Sequence, residues 1–74
     1  MARVLHLLKG DDPALALVVI AQQQAAGDEI GVALLPGTPT PTLPAGVSLQ
    51  RVPDELGWDT LLERIFEADQ VITW

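Results

Sequence analysis

His6 is the one side chain in this sequence whose ordinary pKa lies near neutrality, so proton-transfer chemistry at neutral pH would start there. It sits among leucines in residues 3–9 (RVLHLLK), a setting that favours a hydrogen-bonded core or interface imidazole over a base or a metal ligand. The next candidates are Asp11 and Asp12, adjacent carboxylates able to act as an acid pair or to hold magnesium. Placed directly before Pro13, they equally suit helix capping and complement the helix dipole, which accounts for them with nothing further required. Gly10 stands between a strand and a helix, where nucleotide-binding folds put their glycine loop. The loop here is GDDP: it lacks the spaced glycines, and its aspartates would repel a phosphate, which excludes dinucleotide, flavin-phosphate and Walker-type sites. Ser48 is the only serine and has no elbow motif around it. With no cysteine, the chain cannot itself form disulfides, a thiolate metal site, a persulfide or a thioester. A single histidine leaves only unclustered carboxylates for a metal. Nucleophile, base and orienting group do not come together, so the sequence argues against an enzyme acting alone and calls for no metal or cofactor.

The elements that would have to position these residues are few. A chain of 74 residues is a single domain, 1–74, close to the size at which one core suffices unaided. Small proteins usually add disulfides, metal or subunit contacts, and here only subunit contacts remain. A hydrophobic content of 49% agrees, being high for a protein that must expose much of its surface. The net charge of -6, with Arg3, Lys9, Arg51 and Arg64 as the only cations, speaks against direct binding of nucleic acid. No segment has the apolar length of a membrane span or a signal peptide, so a cytoplasmic protein with no membrane partner is expected.

Residues 3–9 predict a strand buried on both faces and central in its sheet, with Val4, His6 and Leu8 on one side and Leu5 and Leu7 on the other. Asp12 as N-cap, Pro13 as first helical residue and Gly27 as stop predict a helix over 13–26, against the β-branched trio Val18-Val19-Ile20. Its face of small residues, Ala14, Leu17, Val18, Ala21 and Ala25, is expected on the sheet, leaving Leu15, Val19 and Ile20 pointing elsewhere. A neighbouring subunit is the expected cover for that excess, with a solvent-exposed patch as the alternative.

A second strand follows over 28–36, making a right-handed parallel βαβ unit. Residues 37–46 (GTPTPTLPAG) are an irregular, extended crossover, and a proline-rich ligand is the less favoured reading. A third strand over 47–52 alternates and is polar enough for an edge, and 53–57 form a turn. The closing stretch 58–74 (WDTLLERIFEADQVITW) predicts an amphipathic helix with Trp58, Leu61, Leu62, Ile65 and Phe66 on the core side, then a strand. Either a Thr60/Glu63 capping box or Asp59 starts the helix. Trp74 is expected to be packed against something. The resulting class is α/β, a small mostly parallel sheet with element order β-α-β-β-α-β.

Three stretches resemble the DsrH/TusB family. VLHLLKGDDP is similar to its opening, where a Leu-His pair in the first strand precedes a short turn, with Leu5-His6 and Pro13 at the matching positions and Asp12 where a serine is common. AAGDEIGVALLPG resembles that family's helix end and second strand, Gly27-Asp28 matching. WDTLLERIFEADQVITW resembles its ending: aromatic-Asp at Trp58-Asp59, an amphipathic helix, and a strand closing on Trp74. Together they cover about two-thirds of the chain. Between Val52 and Trp58 this chain is shorter than the family pattern, which carries an extra helical piece and strand there. The resemblance implies a DsrE-like layered fold whose subunits associate through the sheet and flanking helices. It also implies a place in a sulfur-relay assembly with DsrE/TusD-like and DsrF/TusC-like partners, serving sulfur oxidation or 2-thiolation of the wobble uridine in tRNA. Cysteine passes the sulfur in such assemblies, so this cysteine-free chain would be a structural or docking subunit, with Leu5, His6, Leu15, Val19, Ile20, Trp58 and Trp74 as interface or motif residues. The alternative is a stand-alone homo-oligomeric small-ligand binder or minor enzyme using His6 and the Asp11/Asp12 turn.

Overall fold

The computed structural model describes residues 2–9 and 14–74. Strand β1 (Arg3–Leu8) leads to helix α1 (Ala14–Ala25) and strand β2 (Glu29–Leu34); then come strand β3 (Ser48–Arg51), helix α2 (Trp58–Glu67) and strand β4 (Gln70–Thr73). The four strands form one all-parallel sheet in the order β3-β2-β1-β4. The apolar strand β1 is therefore internal, as its composition requires, and the more polar β3 lies at an edge. The expected cap at Asp12 and helix start at Pro13 fall outside the described residues.

Pleating splits the strand residues between two cores. On the α1 side Val4, Leu8, Ile30, Val32 and Leu34 meet Ala16 and Ile20. On the α2 side Leu5 and Ala33 meet Val52, Leu56 and Leu61. Each face of the sheet carries one helix, giving three layers.

The segment joining β2 to β3 contains no helix, yet it serves as part of the α1 layer. Leu43 and Val47 pack on the same core as Ile20. Polar contacts pin the segment: the Thr38 hydroxyl donates to Leu8 O at 3.1 Å, the Arg51 guanidinium donates to Thr38 O at 3.1 Å and to Thr40 Oγ1, and the Gln24 amide donates to Ala45 O.

Helix α1 ends as the sequence predicts. Gly27 has φ +91°, its N–H donates to Gln24 O at 3.0 Å and the Asp28 N–H donates to Gln23 O at 3.1 Å, the paired bonds of a Schellman stop. Two aspartates then set the register at the start of β1. Asp69 Oδ2 accepts from Arg3 N at 2.8 Å, and Asp28 Oδ1 accepts from Ala2 N at 3.4 Å, one acid at the entry of each flanking strand.

Three expectations are corrected. The face of α1 against the sheet is Ala16 and Ile20 with Gln23, whereas Ala14, Val18, Ala21 and Ala25 are exposed, Leu17 is half-buried, and Ile20 is fully buried rather than pointing elsewhere. An apolar helix with little sidedness does not select a face; the adjacent polar anchors Gln23 and Gln24, about one turn past Ile20, do so here. Helix α2 is capped by Gly57 in extended conformation with no side-chain cap bond, so neither the Thr60/Glu63 box nor Asp59 starts it; Asp59 lies in the first turn and complements the dipole there. Finally, the α2 stripe is only partly used: Leu61 is buried and Ile65 half-buried, while Trp58, Leu62 and Phe66 are exposed.

Candidate functional site

His6 lies in the middle of β1, paired laterally with Val32 and Ile72, and is fully buried. Its Nδ1 lies 2.9 Å from the indole Nε1 of Trp74, and its Nε2 lies 2.7 Å from Gln23 Oε1. An indole nitrogen only donates, so Nδ1 must be the acceptor and the ring proton sits on Nε2, donated to Gln23. The two rings are within 10° of parallel with centroids 6.1 Å apart, a spacing set by an in-plane N–H···N bond rather than by overlapping faces. Burial lowers the His6 pKa from its ordinary 6.5, with the Gln23 bond opposing that shift. The outcome is a neutral imidazole with both nitrogens committed.

This trio occupies a telling position. The connection leaving β1 passes to the α1 side, while β4 arrives from the α2 side, so the winding reverses between β1 and β4. In open α/β sheets ligands gather beyond the carboxyl ends of the strands at such a reversal. Here Trp74, at the end of β4, turns its indole to His6 and packs on the α1-side core. The imidazole is thereby spent on holding β1, β4 and α1 together and has no nitrogen left to act as a base.

An open cleft of about 390 Å³ lies at the opposite, amino-terminal end of the sheet. Its floor includes Leu5, Gly31 and Ser48, and Arg64 and Ala68 of α2 line it from above. It exists because α2 covers β1 while the β2 and β3 residues beneath are small. Arg3 and Glu29 pair at its rim at 3.4 Å, both well exposed. Ser48 thus lies on a cleft floor, with no histidine near it among the lining residues.

Of the remaining candidates, Leu5 and Ile20 are closed inside the chain's own cores, Val19 and Trp74 are half-buried, and Leu15 and Trp58 are exposed at 65% and 54%. The Asp11/Asp12 turn falls outside the described residues. Among the described residues no three histidine or acidic side chains cluster as a metal site, and no helix is long and apolar enough to cross a membrane. Gln23 was not singled out by sequence reasoning; its spacing of seven from Ala16 and three from Ile20 was the available signal. No protein-family model, curated protein or solved structure matches this chain.

Proposed function

We propose that this chain is a non-catalytic structural or docking subunit of a sulfur-relay assembly of the DsrEFH or TusBCD kind, serving tRNA wobble-uridine 2-thiolation or sulfur oxidation in the cytoplasm. The observation that carries the subunit role is apolar surface left outside the fold: Leu15 and Val18 on α1 and Trp58, Leu62 and Phe66 on α2 are each more than half exposed. Neighbouring apolar side chains left exposed on a helix of a small protein mark a place where something else packs. The sulfur-relay part is supported by the Leu5-His6, Gly27-Asp28 and Trp58-Asp59 motifs and by Trp74 closing the last strand. Having no cysteine, the chain leaves sulfur transfer to its partners.

The alternative, a stand-alone ligand binder or minor enzyme working through His6, has less support because both ring nitrogens are already bonded. Affinity purification of the chain followed by thiol and persulfide labelling of what comes with it tests the proposal. A stoichiometric cysteine-bearing α/β subunit is expected; a ligand or activity lost in His6→Gln with the oligomeric state unchanged would favour the alternative.

A further inference from the structure

Two rows of side chains run side by side along α2. Trp58, Leu62 and Phe66, spaced i, i+4, i+8, form an apolar row exposed at 54%, 53% and 79%. Asp59, Glu63 and Glu67, each one residue on, form a parallel row that is exposed throughout. At about 100° per residue the acidic row borders the apolar one on the side away from the sheet. Arg64 and Ala68 occupy the other flank of the helix and line the cleft above β2 and β3, where Glu67, the end of the acidic row, also reaches. The apolar row therefore lies toward β4, along the open edge of the sheet.

Among the described residues no cation forms an ion pair with the acidic row. Arg3 pairs with Glu29, and the Arg51 guanidinium is bonded to Thr38 and Thr40. Arg64 shares the cleft lining with Glu67 but makes no ion pair among the described residues, and Lys9 lies past the end of β1, off the helix. A second copy laid on this ridge would set carboxylates against carboxylates, in a chain whose net charge is already -6.

From this charge pattern we infer that the α2 ridge is the docking site for a cationic amphipathic helix of a different protein. Leucine- or phenylalanine-type residues of that helix pack on Trp58, Leu62 and Phe66, and its lysines or arginines face Asp59, Glu63 and Glu67. The inference rests on the subunit role proposed above and assigns it a face and a partner chemistry.

A labelled leucine–lysine amphipathic peptide and its leucine–glutamate counterpart, titrated with the chain and followed by anisotropy, test it. The lysine peptide should bind and the glutamate peptide should not. Leu62→Ser or Phe66→Ser should weaken binding by about tenfold or more, and neutralising Asp59, Glu63 and Glu67 together should weaken it and flatten its salt dependence. Phe66→Ser is the change least able to disturb the fold, given the exposure of that ring. Equal binding of both peptides, indifference to the serine variants, or a wild-type dimer in sedimentation that Leu62→Ser dissolves would overturn the assignment. If the lysine peptide fails while a cysteine-bearing subunit still co-purifies, the ridge assignment falls and the subunit role stands. If the peptide behaves as expected and no such subunit is found, the ridge stands and the subunit role falls.

Discussion

The indole N–H of Trp74 donates to Nδ1 of His6 over 2.9 Å, joining residues 68 positions apart in the sequence. Because Gln23 takes the proton on Nε2, one imidazole ties β4 to β1 and β1 to α1. Among the described residues, both nitrogens of the His6 side chain beside this reversal of the sheet are bonded to the protein's own side chains.

Acidification should loosen this arrangement. Burial holds the His6 pKa below its ordinary 6.5, so the unfolded chain binds more protons than the folded one as pH falls through that value. Stability attributable to His6 is fully present above its ordinary pKa of 6.5 and declines as pH falls below it, because a protonated Nδ1 would point its N–H at the indole N–H. Urea midpoints measured across this range should fall for the wild-type chain and fall less steeply for His6→Asn.

Replacing Trp74 with Phe keeps an aromatic ring but removes the donor, leaving a buried acceptor on His6. A loss of about 1–3 kcal/mol is expected in urea unfolding, the usual cost of an unpaired buried polar atom. An unchanged midpoint would show that the bond contributes nothing to the fold.

Two glycines should respond in opposite directions. Gly27 has φ +91°, and an alanine there should cost about 1 kcal/mol although no atom lies within 4 Å of the added Cβ. Gly31 has ordinary strand geometry, and its added Cβ would make normal contacts with Ser48 Oγ at 3.6 Å and Leu5 Cδ1 at 3.7 Å. Gly31→Ala should therefore be neutral or stabilising by up to about 1 kcal/mol, while shrinking the cleft floor. Thermal melts of the two variants check both signs.

The element order and the strand faces were legible because they rest on local signals: the short apolar runs of β1 and β2, the Gly27 stop, and the alternating, more polar character of β3. Which way the helices face was not. Helix α1 is apolar on most sides, so its pattern is silent, and the deciding contacts, Gln23 to His6 and Gln24 to Ala45, span the fold. Helix α2 has a clear stripe, but the sheet beneath it is narrow, and only Leu61 and Ile65 find cover. His6 was legible as a hydrogen-bonded core residue, while its partners were not, since Trp74 and Gln23 reach it only through tertiary structure.

Leu15 and Val18 on one helix and Trp58, Leu62 and Phe66 on the other leave exposed apolar side chains on each outer layer, which is the basis of the proposal that this chain is one subunit of a larger body. Native mass spectrometry of the chain isolated from cells under low-salt conditions measures that directly. The expected spectrum contains the 7.9 kDa chain within a complex that also holds a cysteine-bearing subunit. A spectrum showing only the free 7.9 kDa monomer, folded and stable at micromolar concentration, would contradict it.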